Sequence, residues 1–327
     1  MVAILASVFG MALADAIFKH ASADMSLWQI WVMRSAMVLP VMFIMSRGRV
    51  WHPAAGAIAL RSLALIGMYL AMYPALPFID MSLAGAAFYT APLFIAGLSA
   101  LVLGNRITRG HWLAILTGFV GLLVIVRPFA ASFTPVVFLP VTAAAFYACA
   151  AILTRARCHQ IAPVVLGFWL NVAFLLTGGL ALAWLSLGLP RPAVDFPFLL
   201  ATWRPLLPED WRNIALLAVL ILGVAIGVAK AYQSPQPEVI ATFDYCYMIF
   251  AIFWGYVFFR EVPDLWTLVG MSLIAAGGLR SWRRMRPRAG LEVISHPGRS
   301  FRTLPCSVAA GLLARRGSSL PHRGRQG

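Results

Sequence analysis

The chain has 327 residues, of which 61% are hydrophobic and only 11% charged, and its mean hydropathy is +0.84. A soluble domain carries about 25% charged residues, so the composition excludes an ordinary water-facing surface and points to a polytopic membrane protein. The net charge of +15 does not indicate nucleic acid: residues 280–327 hold 11 of the 26 basic residues beside one acid, and such a stretch after a last membrane helix orients the chain and meets anionic lipid.

A spanning helix needs about 20 mostly apolar residues. Ten stretches meet that need: 2–19, 26–46, 57–78, 81–103, 111–127, 133–154, 163–187, 212–232, 238–259 and 263–282. The first begins at residue 2 with no charged n-region before it, so no cleavable leader is expected. It carries Asp15 four residues before Lys19, a spacing that puts both on one face and predicts an ion pair near the helix end. The second carries Arg34 eight residues in, where an always-charged guanidinium needs a carboxylate, a substrate anion or an aromatic face. Asp15 and Asp244 are the acids available to it. The third and fourth are separated by "PFIDMS" alone, and the fourth contains Tyr89.

Between the seventh and eighth stretches lies "GLPRPAVDFPFLLATWRPLLPEDW" (188–211), proline-rich and mixed in charge, which predicts a solvent-exposed loop with interfacial tryptophan. The ninth holds Asp244 in an otherwise apolar or aromatic run. An acid at membrane depth costs about 2.5–3.5 kcal/mol at helix centre. Asp244, Met248, Ala251 and Gly255 share a stripe whose small residues favour packing against protein. Glu261, in the turn that follows, is expected to cap the last helix, since an acid is favoured at a helix N-terminus. Lys230 and Glu238 read as interfacial residues that snorkel.

Segment 88–124 can be laid on 244–279 with an offset of 156, which matches Tyr89 to Tyr245 and Phe88 to Asp244. An offset of 136 relates "AIFKH" (16–20) to "ILTRA" (152–156). Two copies of a five-helix unit follow, and because five is odd the second sits inverted in the membrane. The expected fold is therefore all-α and integral to the membrane, with ten transmembrane helices as two inverted repeats, 1–128 and 133–282. Residues 283–327 read as a basic tail whose Arg, Gly, Pro and Ser content cannot build a core. Seven basic residues fall in one set of short loops (Arg47, Arg49, Arg106, Arg109, Arg155, Arg157, Lys230) and three in the other (Lys19, Arg127, Arg260). That bias, with Arg280–Arg288, puts both termini in the cytoplasm.

The halves end in "LGNRIT" and "FFREVPD", each flanked by helices, and the second half runs "AYQSPQPEVIATFDYCYMIFAIFWGYVFFREVPDLWTLVGMSLIAAGGL". These stretches resemble the EamA family of the drug/metabolite transporter superfamily over about residues 1–282. The resemblance implies a secondary transporter of the inner (plasma) membrane that moves a small organic metabolite by alternating access. The Asp15–Lys19 spacing and helical Arg34 look most like members that take up solutes such as S-adenosylmethionine or riboflavin. Export of amino acids or drugs stands as the alternative. Two departures are visible: Asn105 stands where the family carries the turn glutamate seen here as Glu261, and the tail has no family counterpart.

The residues expected to bind substrate or couple its movement are Asp244, Arg34, Asp15, Tyr245, Tyr89 and Lys19, with Asp244 taking a proton or a cationic group. The two tyrosines stand out because they recur at matched places in the repeats. The chain has no P-loop, GxSxG, HExxH or GxGxxG, so no nucleotide cofactor and no enzymatic activity is expected. Cys149, Cys158, Cys246 and Cys306 show no CxxC spacing and imply no metal or disulfide. An integral-membrane enzyme acting on lipid-linked substrates is the competing class, but histidines 20, 52, 111, 159, 296 and 322 form no cluster to serve it. Expected partners are the bilayer, a small-molecule substrate and protons, in a monomer or homodimer.

Overall fold

The structure is a computed structural model and describes residues 2–91, 93–95, 97–98, 109–127, 134–187, 197–232 and 246–285. Every regular element among them is helical: α1 Val2–Ala21, α2 Leu27–Met45, α3 Ala55–Met72, α4 Met81–Phe88, α5 Arg109–Val126, α6 Phe138–Arg157, α7 Pro163–Ser186, α8 Pro208–Tyr232, α9 Cys246–Phe259 and α10 Leu265–Met285. Single turns at Tyr73–Ala75, Pro135–Val137 and Pro197–Leu200 lie between them. Four helical segments are long and apolar enough to cross a membrane by length and composition: Leu27–Met45, Ala55–Ala75, Pro135–Arg157 and Pro163–Ser186. Shorter apolar helices include Cys246–Phe259 and Leu265–Gly277.

Local chemistry sets the helix ends. Ser26 starts α2 by accepting from the Gln29 N–H at 3.3 Å, which satisfies one of the orphan donors of the first turn. Pro163 and Pro208 open α7 and α8, where a missing N–H costs nothing. Arg47, Arg127 and Arg260 follow α2, α5 and α9 in the left-handed region, with φ of 53°, 43° and 59°, a cap position that usually falls to glycine. After Arg260, the Glu261 N–H donates to Gly255 O at 3.2 Å, and this fold-back lays the Glu261 side chain against α9.

The helices pack in an ordered set of pairs. α5 runs along α10 and α2 along α7, while α3 lies on α6 and α1 on α8. Smaller contacts join α1 to α9 and α4 to α6, then α3 to α7 and α2 to α8. Gly121 and Gly270 let α5 and α10 approach backbone to backbone: a Cβ on Gly121 would meet Gly270 O at 2.8 Å. Such close crossings suit small residues where lipid offers no hydrophobic driving force. The buried core centres on Phe18, Met25, Ile30, Trp31 and Phe174. Outward, Ile44, Leu180 and Val219 are largely exposed, an apolar surface that suits a lipid solvent and not water.

In the 188–211 segment the described residues are mostly exposed, as expected, but the segment is anchored to the bundle: Leu199 O accepts from Trp28 Nε1 at 2.8 Å, and Arg204 O accepts from Gln29 Nε2 at 2.7 Å. Arg204 also donates to Asp24 O and pairs with Asp210 at 2.9 Å. The segment is thus tied to the start of α2, with Phe198 buried. Trp203 and Trp211 remain about half exposed, as interfacial tryptophans are.

Candidate functional site

Three polar groupings lie among the packed helices. The first joins α1, α4 and α9. Asp15 Oδ2 accepts from the Tyr247 hydroxyl at 2.7 Å, and the buried Tyr247 ring stacks on Tyr89 with centroids 5.5 Å apart and planes 29° apart. Tyr247 reaches this place because Gly85 has no side chain; a Cβ there would sit 3.0 Å from the ring. Tyr89 itself stands where α4 closes, in a turn with Thr90.

The second grouping sits where α1 ends and α4 and α10 are approached. Lys19 Nζ lies 2.5 Å from Glu261 Oε1 and donates to Ile79 O at 2.7 Å. The ammonium also lies 4.9 Å from the Phe259 ring centre. Glu261 Oε2 accepts from the Met81 N–H at 2.8 Å, so the acid caps α4. Gly255 makes room for it, since a Cβ there would meet Glu261 Oε2 at 3.0 Å. Both members of the pair are mostly buried, and each has more than one partner.

The third grouping is an aromatic wall with two arginines. Phe18 stacks on Tyr73, Tyr73 contacts Tyr69, Tyr69 meets Phe174, and Phe174 meets Trp31, with centroid separations of 3.7 to 5.1 Å. Arg34, only 2% exposed, places its guanidinium carbon 4.5 Å over the Phe174 ring. Arg61 of α3 donates from Nε to Thr154 Oγ1 of α6 at 2.8 Å. Neither arginine makes an ion pair with a described carboxylate. Among the described residues, four buried polar atoms here have no hydrogen-bond partner: Arg34 Nε, Arg61 Nη1, Trp31 Nε1 and Ser62 Oγ.

Set beside the expectations from sequence, the geometry redistributes partners. Asp15 and Lys19 do not pair with each other; Asp15 takes Tyr247, and Lys19 takes Glu261, because folding brings α9 and its turn alongside α1. Glu261 does not cap the last helix. Asp264 does, accepting from the Thr267 N–H at 2.9 Å. Asp244 and Tyr245 lie outside the described residues, as do Glu238, Asn105 and residues 286–327. The stripe predicted beside Asp244 is buried at Met248, Ala251 and Gly255. Arg34 meets an aromatic face, one of its three expected partners. Tyr89 has Tyr247 as its stacked neighbour. Two residues escaped the sequence reading: Tyr247, which the repeat alignment did not single out, and Arg61, a basic residue inside an apolar stretch that the rule applied to Arg34 would have found.

A chain whose described elements are all helical, with apolar outer faces, several helices of membrane-crossing character and charged side chains such as Lys19 and Arg34 held inside, is a multi-pass membrane protein. Residues 1–127 match the EamA-like transporter family, and the proteins to which the chain is similar are named as transporters. It is 29% identical over 281 residues to the pseudopaline exporter CntI of Pseudomonas aeruginosa, an alignment that spans 84% of this chain and 92% of that protein. It is 25% identical over 195 residues to the riboflavin transporter of Brucella anthropi, covering 60% of this chain and 65% of that one. An S-adenosylmethionine uptake transporter of Rickettsia conorii is 24% identical over 57% of this chain and 58% of its own length. One crystal structure superposes with a TM-score of 0.55 over 86% of this chain and 99% of the other. At 16% identity, that likeness speaks to the fold alone.

Proposed function

We propose that the protein is a secondary transporter that carries a small organic metabolite across the plasma membrane by alternating access between two inverted five-helix repeats. The observation that carries the reading is the symmetry of its helix pairs. Exchanging α1–α5 with α6–α10 turns α3 on α6 into α8 on α1, α4 on α6 into α9 on α1, and α3 on α7 into α8 on α2. The pairs α2 with α7 and α5 with α10 map onto themselves. On the first of these, Ser35 Oγ lies 3.4 Å from Asn171 Oδ1, and 136 residues separate them, the offset that relates the two halves in sequence. A pseudo-two-fold axis between α2 and α7 accounts for both facts, and inverted repeats place their solute between the halves.

In this reading Asp15, Tyr247 and Tyr89 line the solute path from one side and Arg34 from the other. Asp244 and Tyr245, next in sequence to α9, join them, and Asp244 takes a proton or a cationic group. Lys19, fixed by Glu261, shapes the end of the path. Both termini are cytoplasmic, so the Lys19–Glu261 pair faces outward. Relatives named for export and for uptake support a metabolite as cargo in either direction.

Proteoliposomes holding the purified full chain, loaded with or bathed in a panel of labelled metabolites that includes riboflavin and S-adenosylmethionine, test the reading. At least one solute is expected to equilibrate faster than in empty vesicles and to show counterflow. Turnover of a lipid-linked substrate with no solute movement in either direction would sink it. For the site, Asp244→Asn is expected to abolish movement at unchanged protein level, whereas full activity would make that acid structural.

A further inference from the structure

We infer that the buried region walled by Tyr69, Tyr73 and Phe174 receives an acidic organic solute, its carboxylate or phosphate held by Arg34 and Arg61 and its apolar part against those rings. The inference deepens the transport reading and rests on it for the fate of the solute, while the binding site itself stands on its own geometry.

The argument is one of missing acceptors. Arginine and tryptophan nitrogens donate hydrogen bonds and cannot accept them. Buried donors of this kind are nearly always matched. Yet among the described residues Arg34 Nε, Arg61 Nη1 and Trp31 Nε1 are buried and unmatched, as is the hydroxyl of Ser62, next in sequence to Arg61. Arg34 and Trp31 stand three residues apart on α2, a spacing that turns them to one face. Both contact the same Phe174 ring, at 4.5 and 4.7 Å. The Tyr69 phenol lies within electrostatic reach of both guanidinium groups, and Arg61 acts on Tyr147 as well. Two cations therefore share one aromatic-walled region.

Among the described acids only Asp15 shares that region, since it and Arg34 both act on Tyr69 and Tyr73, but it makes no ion pair with either arginine and accepts from Tyr247. Glu261 is paired with Lys19, Asp210 with Arg204 and Asp264 with Arg127, and no described acid answers Arg61. A water molecule would satisfy a donor without neutralising a cation. A planar oxyanion would do both, because guanidinium groups take carboxylate or phosphate through two parallel hydrogen bonds. The aromatic faces around them suit a flat or apolar body attached to that acid.

Binding can be measured without transport. The purified full-length protein in detergent is titrated with matched pairs that differ only in the acid: aromatic and aliphatic carboxylates against their carboxamides, riboflavin 5′-phosphate against riboflavin, and inorganic phosphate alone. Thermal stabilisation is the readout. At least one acid is expected to stabilise the protein while its neutral partner does not, and the carboxylate and phosphate arms tell the two sources apart. Arg34→Gln and Arg61→Gln are each expected to weaken that acid about tenfold to a hundredfold, the effect of losing a hydrogen bond to a charged group. Arg34→Lys is expected to recover part of it.

Equal stabilisation by acids and amides, by no acid in the panel, or unchanged affinity in both variants would overturn the inference. So would a double variant in which Asp244→Asn restores stability lost in Arg34→Gln, because Arg34 would then be the structural counter-ion of Asp244. Acid binding without solute movement in proteoliposomes would defeat the transport reading and leave this site standing. Movement of neutral solutes only, with no acid bound, would do the reverse.

Discussion

Lys19 and Arg34 are both basic residues held inside the helix bundle, and the structure treats them differently. Lys19 has a carboxylate, a backbone carbonyl and an aromatic ring around it. Arg34 has the Phe174 ring, the Tyr73 phenol and an unmatched Nε. A fully answered charge holds elements together, whereas a charge left short of acceptors makes the bundle ready for something that is not part of it. Burial alone does not separate the two cases; the count of acceptors does.

The largest expected effect comes from breaking the answered pair. Glu261→Ala leaves Lys19 buried without a counter-charge and removes the cap of α4, and is expected to cost about 3–5 kcal/mol in denaturant unfolding of the purified protein. Adding Lys19→Met is expected to return a large part of that loss, since an apolar residue replaces an unpaired cation. If Glu261→Ala unfolds like the wild type, the pair is ornamental and the contrast collapses. Arg34→Met should behave oppositely. Its removal takes away an unpaired charge along with a cation–π contact worth about 0.5–2 kcal/mol, so stability is expected to stay level or rise while acid binding is lost. A severely unstable Arg34→Met would place Arg34 with Lys19 among the structural residues.

Tyr247→Phe falls between. It removes the donor to Asp15 and is expected to cost about 1.5–3 kcal/mol, and it should slow solute movement if the tyrosine stack lines the path. A smaller effect is due at the surface, where Arg127 pairs with Asp264 and Asp264 caps α10. Slight burial pushes the Asp264 carboxyl up, but the Thr267 hydroxyl and N–H, with Arg127, outweigh it and hold the carboxyl below its ordinary value. A depressed acid stabilises the fold above the unfolded value, about 3.9, and that contribution is lost as the pH falls through the lower folded value. Asp264→Ala is therefore expected to cost about 1 kcal/mol at neutral pH, most of it the cap, and to flatten the acid limb of the stability profile. The smallest change is Arg260→Gly, which relieves a left-handed arginine and is expected to add about 0.5–1 kcal/mol in the same unfolding assay.

How much of this was legible in the residues depends on range. Helix positions were, because a run of apolar residues reports its own environment, and so was the polarity of Arg34 within such a run. Partners were not. The four-residue spacing of Asp15 and Lys19 suggested a pair that α9 overrides, since Tyr247 and Glu261 arrive from 232 and 242 residues away. The role of Glu261 was misplaced for the same reason: its nearest helix in sequence is α10, but the fold-back after Arg260 aims it at α4. Residues 188–211 read as polar and proline-rich, and nothing local in them announced that Leu199 and Arg204 would dock on Trp28 and Gln29. Arg61 was readable by the rule that singled out Arg34.

In the proposed transport cycle between two inverted repeats, the Ser35–Asn171 contact has a mechanical consequence. If the two halves trade places as the protein switches its open side, residues on the axis that relates them stay at a constant separation, while those at the ends of the bundle part and rejoin. A cysteine bridge at 35 and 171 would then leave turnover running, whereas a bridge between positions 19 and 261 would arrest it with one side shut. The axis would serve as a hinge pin, and the charged pair at the rim as the latch.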